Sequence, residues 1–339
     1  MEINDTRRSF EAKLIYAITM PVSTAIILAN VLIILGIACS RQLHNTPNYF
    51  FLSLLVADLG TGVALPFIPW MGLNRPLSFS SCLLVHIFPN FLFLAFLFNL
   101  VLVHYERYLS IVSPLRHGRL WLHRRFPLAL LVVWIVPLVF ALLPAFGWNN
   151  QAGHTWTGCC LVPNGTALFN CSTPFQKRCC TYRNVFPNAF IYLEVYGLLA
   201  PAILSIAAMT GRVLWITHGQ LRDIQRLQRS VAHERRRRLD LRYARCVAFV
   251  SLTFLACWVP YIIYTHVGMS FLLSQGVQGN PTAHIVLSCV GVGGMATVPL
   301  VLGLANREYT DPARKLLSKL RHRWRRTDDT DIALRVFHG

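Results

Sequence analysis

Seven separated apolar runs, each about as long as a bilayer is thick, constrain this 339-residue chain more than any other feature. A helix needs about 20 residues to cross roughly 30 Å of hydrocarbon. The runs fall at residues 14–39, 48–70, 82–112, 126–148, 187–217, 243–272 and 283–305. Only 14% of the residues are charged and 54% are apolar, whereas a soluble domain is about 25% charged. Too little polar surface remains to coat a soluble globule, and the same composition excludes a disordered chain or a secreted disulfide scaffold. The expected fold is an all-α integral membrane protein, a seven-transmembrane helix bundle. No basic, apolar and small-residue sequence of segments marks a cleaved signal, so the first run is expected to act as its own insertion signal.

The net charge of +18 sets the orientation. With the N-terminus outside, the outer segments hold seven of the 32 Lys and Arg and the inner segments hold 25. Basic residues collect on the cytoplasmic side, so the N-terminus is expected outside and the C-terminus inside. The organisation is then an extracellular N-terminus (1–13) and a bundle (14–305) with a long extracellular loop (149–186) and a basic intracellular loop (218–242). A cytoplasmic segment (306–339) follows. The glycosylation acceptors Asn4, Asn164 and Asn170 all fall outside, although such triplets also arise by chance. Five of the ten cysteines crowd the long outer loop, where oxidation is permitted. The basic residues lie between apolar runs, so membrane lipids are expected partners and nucleic acid is not. Four consecutive arginines at 235–238 are either a solvated contact for anionic lipid or a docking element for a partner.

Charges inside a span are costly and are functional candidates. Four lie away from the span ends: Asp58, Glu106, Arg107 and Glu194. Arg107 is a permanent cation at the inner rim and needs anionic partners. Glu106 is adjacent, and Asp240 lies 20 residues before Pro260. An Arg107–Asp240 pair would clamp the third and sixth helices, and breaking it would open a cleft for a partner helix. The alternative is ordinary snorkelling of Arg107 to lipid phosphate.

Glu106-Arg107-Tyr108 closes the third run, Pro114-Leu115 follows, and Cys82 lies 25 residues before Arg107. The other runs carry Asn30, Asp58 in Leu-Val-Ala-Asp-Leu, Trp134, Pro201, Cys257-Trp258-Val259-Pro260 and Pro299. This set resembles the rhodopsin-like family of G protein-coupled receptors over nearly the whole chain. The resemblance implies coupling to a heterotrimeric G protein through Glu106, Arg107, Tyr108, Pro114, Leu115 and Asp240. It also implies a Cys82–Cys180 disulfide, while Cys159, Cys160, Cys171 and Cys179 allow three pairings among themselves. A short eighth helix is implied from Asn306-Arg-Glu-Tyr309, and Leu316, Leu317 and Leu320 with Arg314, Lys315, Lys319 and Arg321 suit an interfacial amphipathic helix. Pro260 kinks the sixth helix into a hinge, with Trp258 and Phe254 as packing levers. An aromatic in an apolar helix is core by default, and here the spacing favours the switch.

Departures from the family pattern carry information too. Val298 and Leu302 stand where Asn-Pro-x-x-Tyr would place Asn and Tyr, and Met209 stands where a fifth-helix tyrosine is expected. The active state is thus expected to form without a tyrosine–water bridge. Phe96, Gly294 and Val298 replace polar residues that would help Asp58 hold sodium. Asp58 is read as an unpaired carboxylate, and sodium modulation is expected to be weak. No metal or cofactor is expected.

The ligand is narrowed first by elimination. An opsin needs a lysine in the seventh run, and none is there; an aminergic receptor needs an aspartate 18 residues before Arg107, where Pro89 stands. A cavity rimmed by Phe, Leu and Ile with His86, Asn90, Glu194, Tyr261 and His266 as its polar groups suits a large amphipathic ligand. Glu194 would accept hydrogen bonds from a hydroxyl deep inside, and an anionic head would stay near the mouth, near His86 or the loop arginines. Strings at 81–85, 89–91, 99–104, 144–149 and 192–199 are similar to a steroid-acid-responsive branch of the family, which shares the missing seventh-helix Asn and Tyr. That resemblance implies an amphipathic steroid acid, a bile acid or related bile salt, and the stimulatory G protein that raises cyclic AMP. It implies ligand contacts at Asn90, Phe93, Glu194, Trp258 and Tyr261, with His86 where a phenol is expected. The alternatives are a receptor for another lipid, such as a fatty acid or lysolipid, and a transporter. A transporter would want repeat symmetry and a charged midplane path, whereas Asp58 and Glu194 sit on different runs. No metal-spaced cluster, phosphate loop or nucleophile triad points to an enzyme.

Overall fold

The computed structural model describes residues 2–67, 79–112, 121–149, 185–226, 248–250, 252–264 and 281–295, with single positions at 298, 301, 311 and 318. Their regular structure is helical. In chain order it comprises α1 (Glu2–Cys39), a 3-10 turn (Arg41–Leu43), α2 (Thr46–Ala64), α3 (Phe79–Val112), α4 (Trp121–Arg124) and α5 (Phe126–Leu142). Next come α6 (Asn188–Tyr192), a π-helical segment (Leu193–Leu199) and α7 (Ala200–Arg226), which are continuous. Helix α8 (Ala248–Tyr264) and α9 (Pro281–Met295) complete the set. Each of the seven apolar runs therefore carries a helix, and three stretches (Tyr16–Cys39, Phe79–Val112 and Asn188–Ile216) are long and apolar enough to cross a membrane alone.

The helix ends differ from the apolar runs for local reasons. Helix α1 begins at Glu2, so helix extends over residues expected to form a short outer tail. Helix α2 ends at Ala64 with Leu65, still in helical backbone at φ -53° and ψ -41°, as its C-cap, and Pro66, which has no N–H to extend the ladder, follows. At its start, the Asn45 side chain accepts from the Asn48 N–H at 3.0 Å, with proline in the first turn. Helix α5 stops at Leu142, two residues before Pro144, and Gly147 then turns the chain with φ +107°, a conformation that glycine adopts without strain. Pro21, Pro89 and Pro137 lie inside helices, as membrane helices tolerate. The implied eighth helix, residues 306–339 and the 235–238 arginines lie outside the described residues, apart from Asp311 and Ser318.

Helix α3 is the central rod and packs on α2, α5 and α7, while α1 packs on α2 and α9. Phe96, Leu97 and Leu100 on α3 are fully buried. In contrast, Leu131, Leu204 and Trp215 on the outer helices are 57%, 69% and 73% exposed. Apolar exposure on this scale is a liability in water and is expected where lipid covers the surface. Polar bonds tie the rods together inside. Ser23 Oγ donates to the Gly62 carbonyl at 2.7 Å and Asn30 Nδ2 to Asp58 Oδ2 at 2.7 Å, joining α1 to α2. Trp134 Nε1 donates to Ser53 Oγ at 2.9 Å, and Ser53 Oγ donates to Asn99 Oδ1 at 2.6 Å, joining α5, α2 and α3.

Candidate functional site

The site begins with Pro201. Proline has no N–H for the carbonyl four residues back and its ring crowds that carbonyl. That residue is Gly197, and it sits inside the π-helical segment, where the backbone has slipped to wider turns. Such bulges are frequent at functional sites. This one carries Glu194, which is buried.

Around it lie two aromatic clusters. In the outer one, Phe186 stacks on Phe190 at 4.8 Å between ring centroids, and Phe140 and Trp148 meet Phe190 at 4.7 and 5.6 Å. Cys82, Val195 and Ile262 join this cluster, so α3, the π segment and α8 converge there. In the inner one, Trp258 of α8 meets Phe93 of α3 at 4.3 Å, Tyr261 edge-on at 5.5 Å and Phe254 at 6.2 Å. Phe254 in turn meets Phe96 at 6.3 Å. The structure thus brings Phe93, Trp258, Tyr261 and Phe254 into one chain of rings. Asn90 is on the same face of α3 as Phe93, three residues away.

Polar groups punctuate these walls. Asn90 Nδ2 and Trp258 Nε1 are buried donors with no hydrogen-bond partner among the described residues. A buried donor left unmade is costly, so each is suited to meet an acceptor on a ligand. His86, which the sequence placed near the mouth, is only 4% exposed and lies edge-on to Phe186. Its Nδ1 donates to the Cys82 carbonyl at 2.9 Å, which leaves only Nε2 for any further partner.

At the inner end, Arg107 Nε lies 3.2 Å from Glu106 Oε2, and Glu106 is buried. Asp240, Pro114 and Leu115, named with them from the sequence, lie outside the described residues, and Tyr108 is half-buried on α3. The reading of Asp58 as unpaired is corrected here. Asn30 Nδ2 donates to its Oδ2 at 2.7 Å, and Thr61 Oγ1 lies 3.4 Å from its Oδ1. These partners lie on α1 and on its own helix, apart from the positions held by Phe96, Gly294 and Val298. Cys82 is disulfide-bonded, and Cys180, Asn164 and Asn170 lie outside the described residues. Asn4 lies in α1.

The π segment and the Trp134–Ser53–Asn99 bridge were not drawn from the sequence. Gly197 four residues before Pro201 was the available signal for the first. The second had none beyond the residue types.

The helices form a bundle with a ring-lined site toward one end of α3 and an acidic-Arg pair toward the other. Residues 29–298 match the 7 transmembrane receptor (rhodopsin family) profile, and the chain belongs to this family. It is a multi-pass membrane receptor for a small molecule, coupled to a G protein, and not an enzyme. Among individual proteins, it is 37% identical to the G-protein coupled bile acid receptor 1 of Rattus norvegicus over 97% of this chain and 94% of that protein. It is 39% identical to the receptor of the same name from Homo sapiens, over 88% and 83%. The human adenosine receptor A2b is a more distant relative, at 25% identity over 89% of each chain.

Proposed function

We propose that this protein is a plasma-membrane receptor for bile acids or closely related amphipathic steroid acids, acting through the stimulatory G protein to raise cyclic AMP. The observation that carries this reading is 37–39% identity to bile acid receptors over 83–94% of their length. The geometry supports the ligand class. Rings supply an apolar wall for a steroid nucleus, and a few buried polar groups fix its orientation. Asn90, Phe93, Trp258 and Tyr261 line that wall, Glu194 takes a hydroxyl, and His86 contributes through Nε2.

The N-terminus faces outward in this reading, and residues 1–13, 14–305 and 306–339 are the outer tail, the bundle and the cytoplasmic segment. Cys82 pairs with Cys180, and Asn4, Asn164 and Asn170 carry glycans. Ligand pressure on Trp258 and Phe254 swings the inner half of α8 about Pro260. That parts Arg107 from Asp240 and opens a cleft bounded by Glu106, Tyr108, Pro114 and Leu115 for the G protein.

The test is cyclic AMP in cells expressing the receptor, against vector alone, with a panel of bile acids and sulfated bile alcohols. A response to fatty acids or lysolipids and to no steroid would overturn the ligand assignment. Glu194→Ala should weaken responses to hydroxylated steroids more than it lowers surface expression. Equal losses of both would make Glu194 a structural residue.

A further inference from the structure

Helix α9 presents two glycines to α8 at very short range. A Cβ at Gly291 would lie 3.0 Å from Cε2 and Cζ2 and 3.1 Å from Cδ2 of Trp258. Three indole atoms at nearly equal distance place that carbon over the ring and not at its edge. A Cβ at Gly294, one turn further, would lie 2.7 Å from Cys257 Sγ and 2.8 Å from Cys257 Cβ. The second contact is between near-backbone atoms and leaves no room for adjustment. The first is against a side chain that can move.

What holds that side chain is packing. The indole N–H has no hydrogen-bond partner among the described residues, and Trp258 is 4% exposed. Phe93, Tyr261 and Phe254 hem it in at 4.3, 5.5 and 6.2 Å. With no polar bond from the described residues to fix it, the indole settles where its neighbours leave space, and the bare backbone at Gly291 is part of that space.

We propose that Gly291, by carrying no side chain, sets the resting position of the Trp258 indole and thereby the ease with which the receptor activates. It is a positioning residue that acts through Trp258, and the inference rests on the reading of Trp258 as the ligand-driven lever. A methyl group at 291 raises the energy of the seated indole and spares the displaced one, so the equilibrium shifts toward the displaced, signalling state. Overpacking a close-packed interior is costly, and a shift on the order of fivefold in that equilibrium is expected.

The experiment uses the full-length receptor in membranes with a panel of purified heterotrimeric G proteins. It reads ligand-free nucleotide exchange per surface receptor for wild type, Gly291→Ala, Trp258→Phe and the double variant. Gly291→Ala should raise ligand-free exchange about fivefold. In the Trp258→Phe background, whose smaller ring leaves room for the methyl, the same substitution should change nothing. Apparent melting temperatures of the purified proteins should follow the same pattern, with the loss from Gly291→Ala relieved by Trp258→Phe. Gly294→Ala, which meets Cys257, should lose stability in both backgrounds. Ligand-free exchange in Gly291→Ala equal to wild type would overturn the proposal, as would a rise that persists undiminished with Trp258→Phe. If Gly291→Ala alone fails to reach the surface, recovery of expression in the double variant supports the steric coupling and continued failure overturns it. Exchange driven by bile acid in wild type is measured alongside, so a wrong ligand assignment shows there and leaves the ligand-free comparison standing.

Discussion

Removing the Ser53 hydroxyl is the most quantifiable perturbation of the bundle. Ser53 Oγ accepts from Trp134 Nε1 at 2.9 Å and donates to Asn99 Oδ1 at 2.6 Å. Asn99 is fully buried and its Nδ2 is already committed to the Ala95 carbonyl at 2.8 Å. Ser53→Ala strips a donor from one neighbour and an acceptor from the other, and leaves both facing hydrocarbon. Each orphaned group costs about 1–3 kcal/mol in a protein interior, but membrane measurements average only about 0.6 kcal/mol per bond. Two bonds therefore place the loss at about 1–2 kcal/mol. On the per-residue scale of soluble domains this is a fall in Tm of about 1.5–3 °C for a chain of this length.

Trp134→Phe removes one bond and some ring area, so its raw loss is not informative by itself. A double-mutant cycle removes the area term and should give a coupling of about 0.5–1.5 kcal/mol between Ser53 and Trp134. The assay is thermal unfolding of the four purified receptors in one detergent. Coupling indistinguishable from zero would refute the claim that this bond holds α5 to α2.

Further outcomes follow from other contacts. A Cβ at Gly62 would lie 2.6 Å from Ile26 Cγ2, so Gly62→Ala should destabilise the α1–α2 contact by about 1–3 kcal/mol; Ile26→Ala, which removes that atom, should relieve part of the loss in a thermal melt. Asp58 is hydrogen-bonded to Asn30 and lacks polar neighbours at Phe96, Gly294 and Val298. Sodium in place of potassium should leave agonist affinity unchanged, and a marked sodium-specific loss in a binding titration would contradict this. Asp240→Asn should raise ligand-independent cyclic AMP if Asp240 clamps Arg107, and unchanged basal signalling at equal surface expression would count against the clamp.

The helices were legible because each crossing has to be apolar over a fixed length, a constraint written into composition alone. Their ends were less so. Pro66 and Pro144 have no N–H to extend the ladders of α2 and α5, and hydropathy cannot register this because it records what lipid tolerates and not what the backbone can do. At the site, Asn90, Phe93, Trp258 and Tyr261 could be named from family strings. Their contacts could not, because they depend on how the rods are rotated about their axes. His86 shows the limit clearly. A histidine four residues after Cys82 can either reach outward or bond back to its own helix, and burial under Phe186 selects the second. Asn30 and Asp58 were each singled out, but their bond joins different helices 28 residues apart.

The widened turns at Leu193–Leu199 carry a geometric consequence for the outer end of that rod. An ordinary helix rotates about 100° per residue, and a wider turn accommodates one residue more before facing the same way. A wheel drawn upward from Arg212 at constant pitch would therefore aim the carboxylate of Glu194 roughly a quarter-turn from its true azimuth. Restoring ordinary winding with every position kept, as by replacing the proline at 201, would swing everything above it, Tyr192 included, about a quarter-turn toward a different neighbour. A single-codon change here can re-aim an acidic group without altering a single residue that lines the cavity.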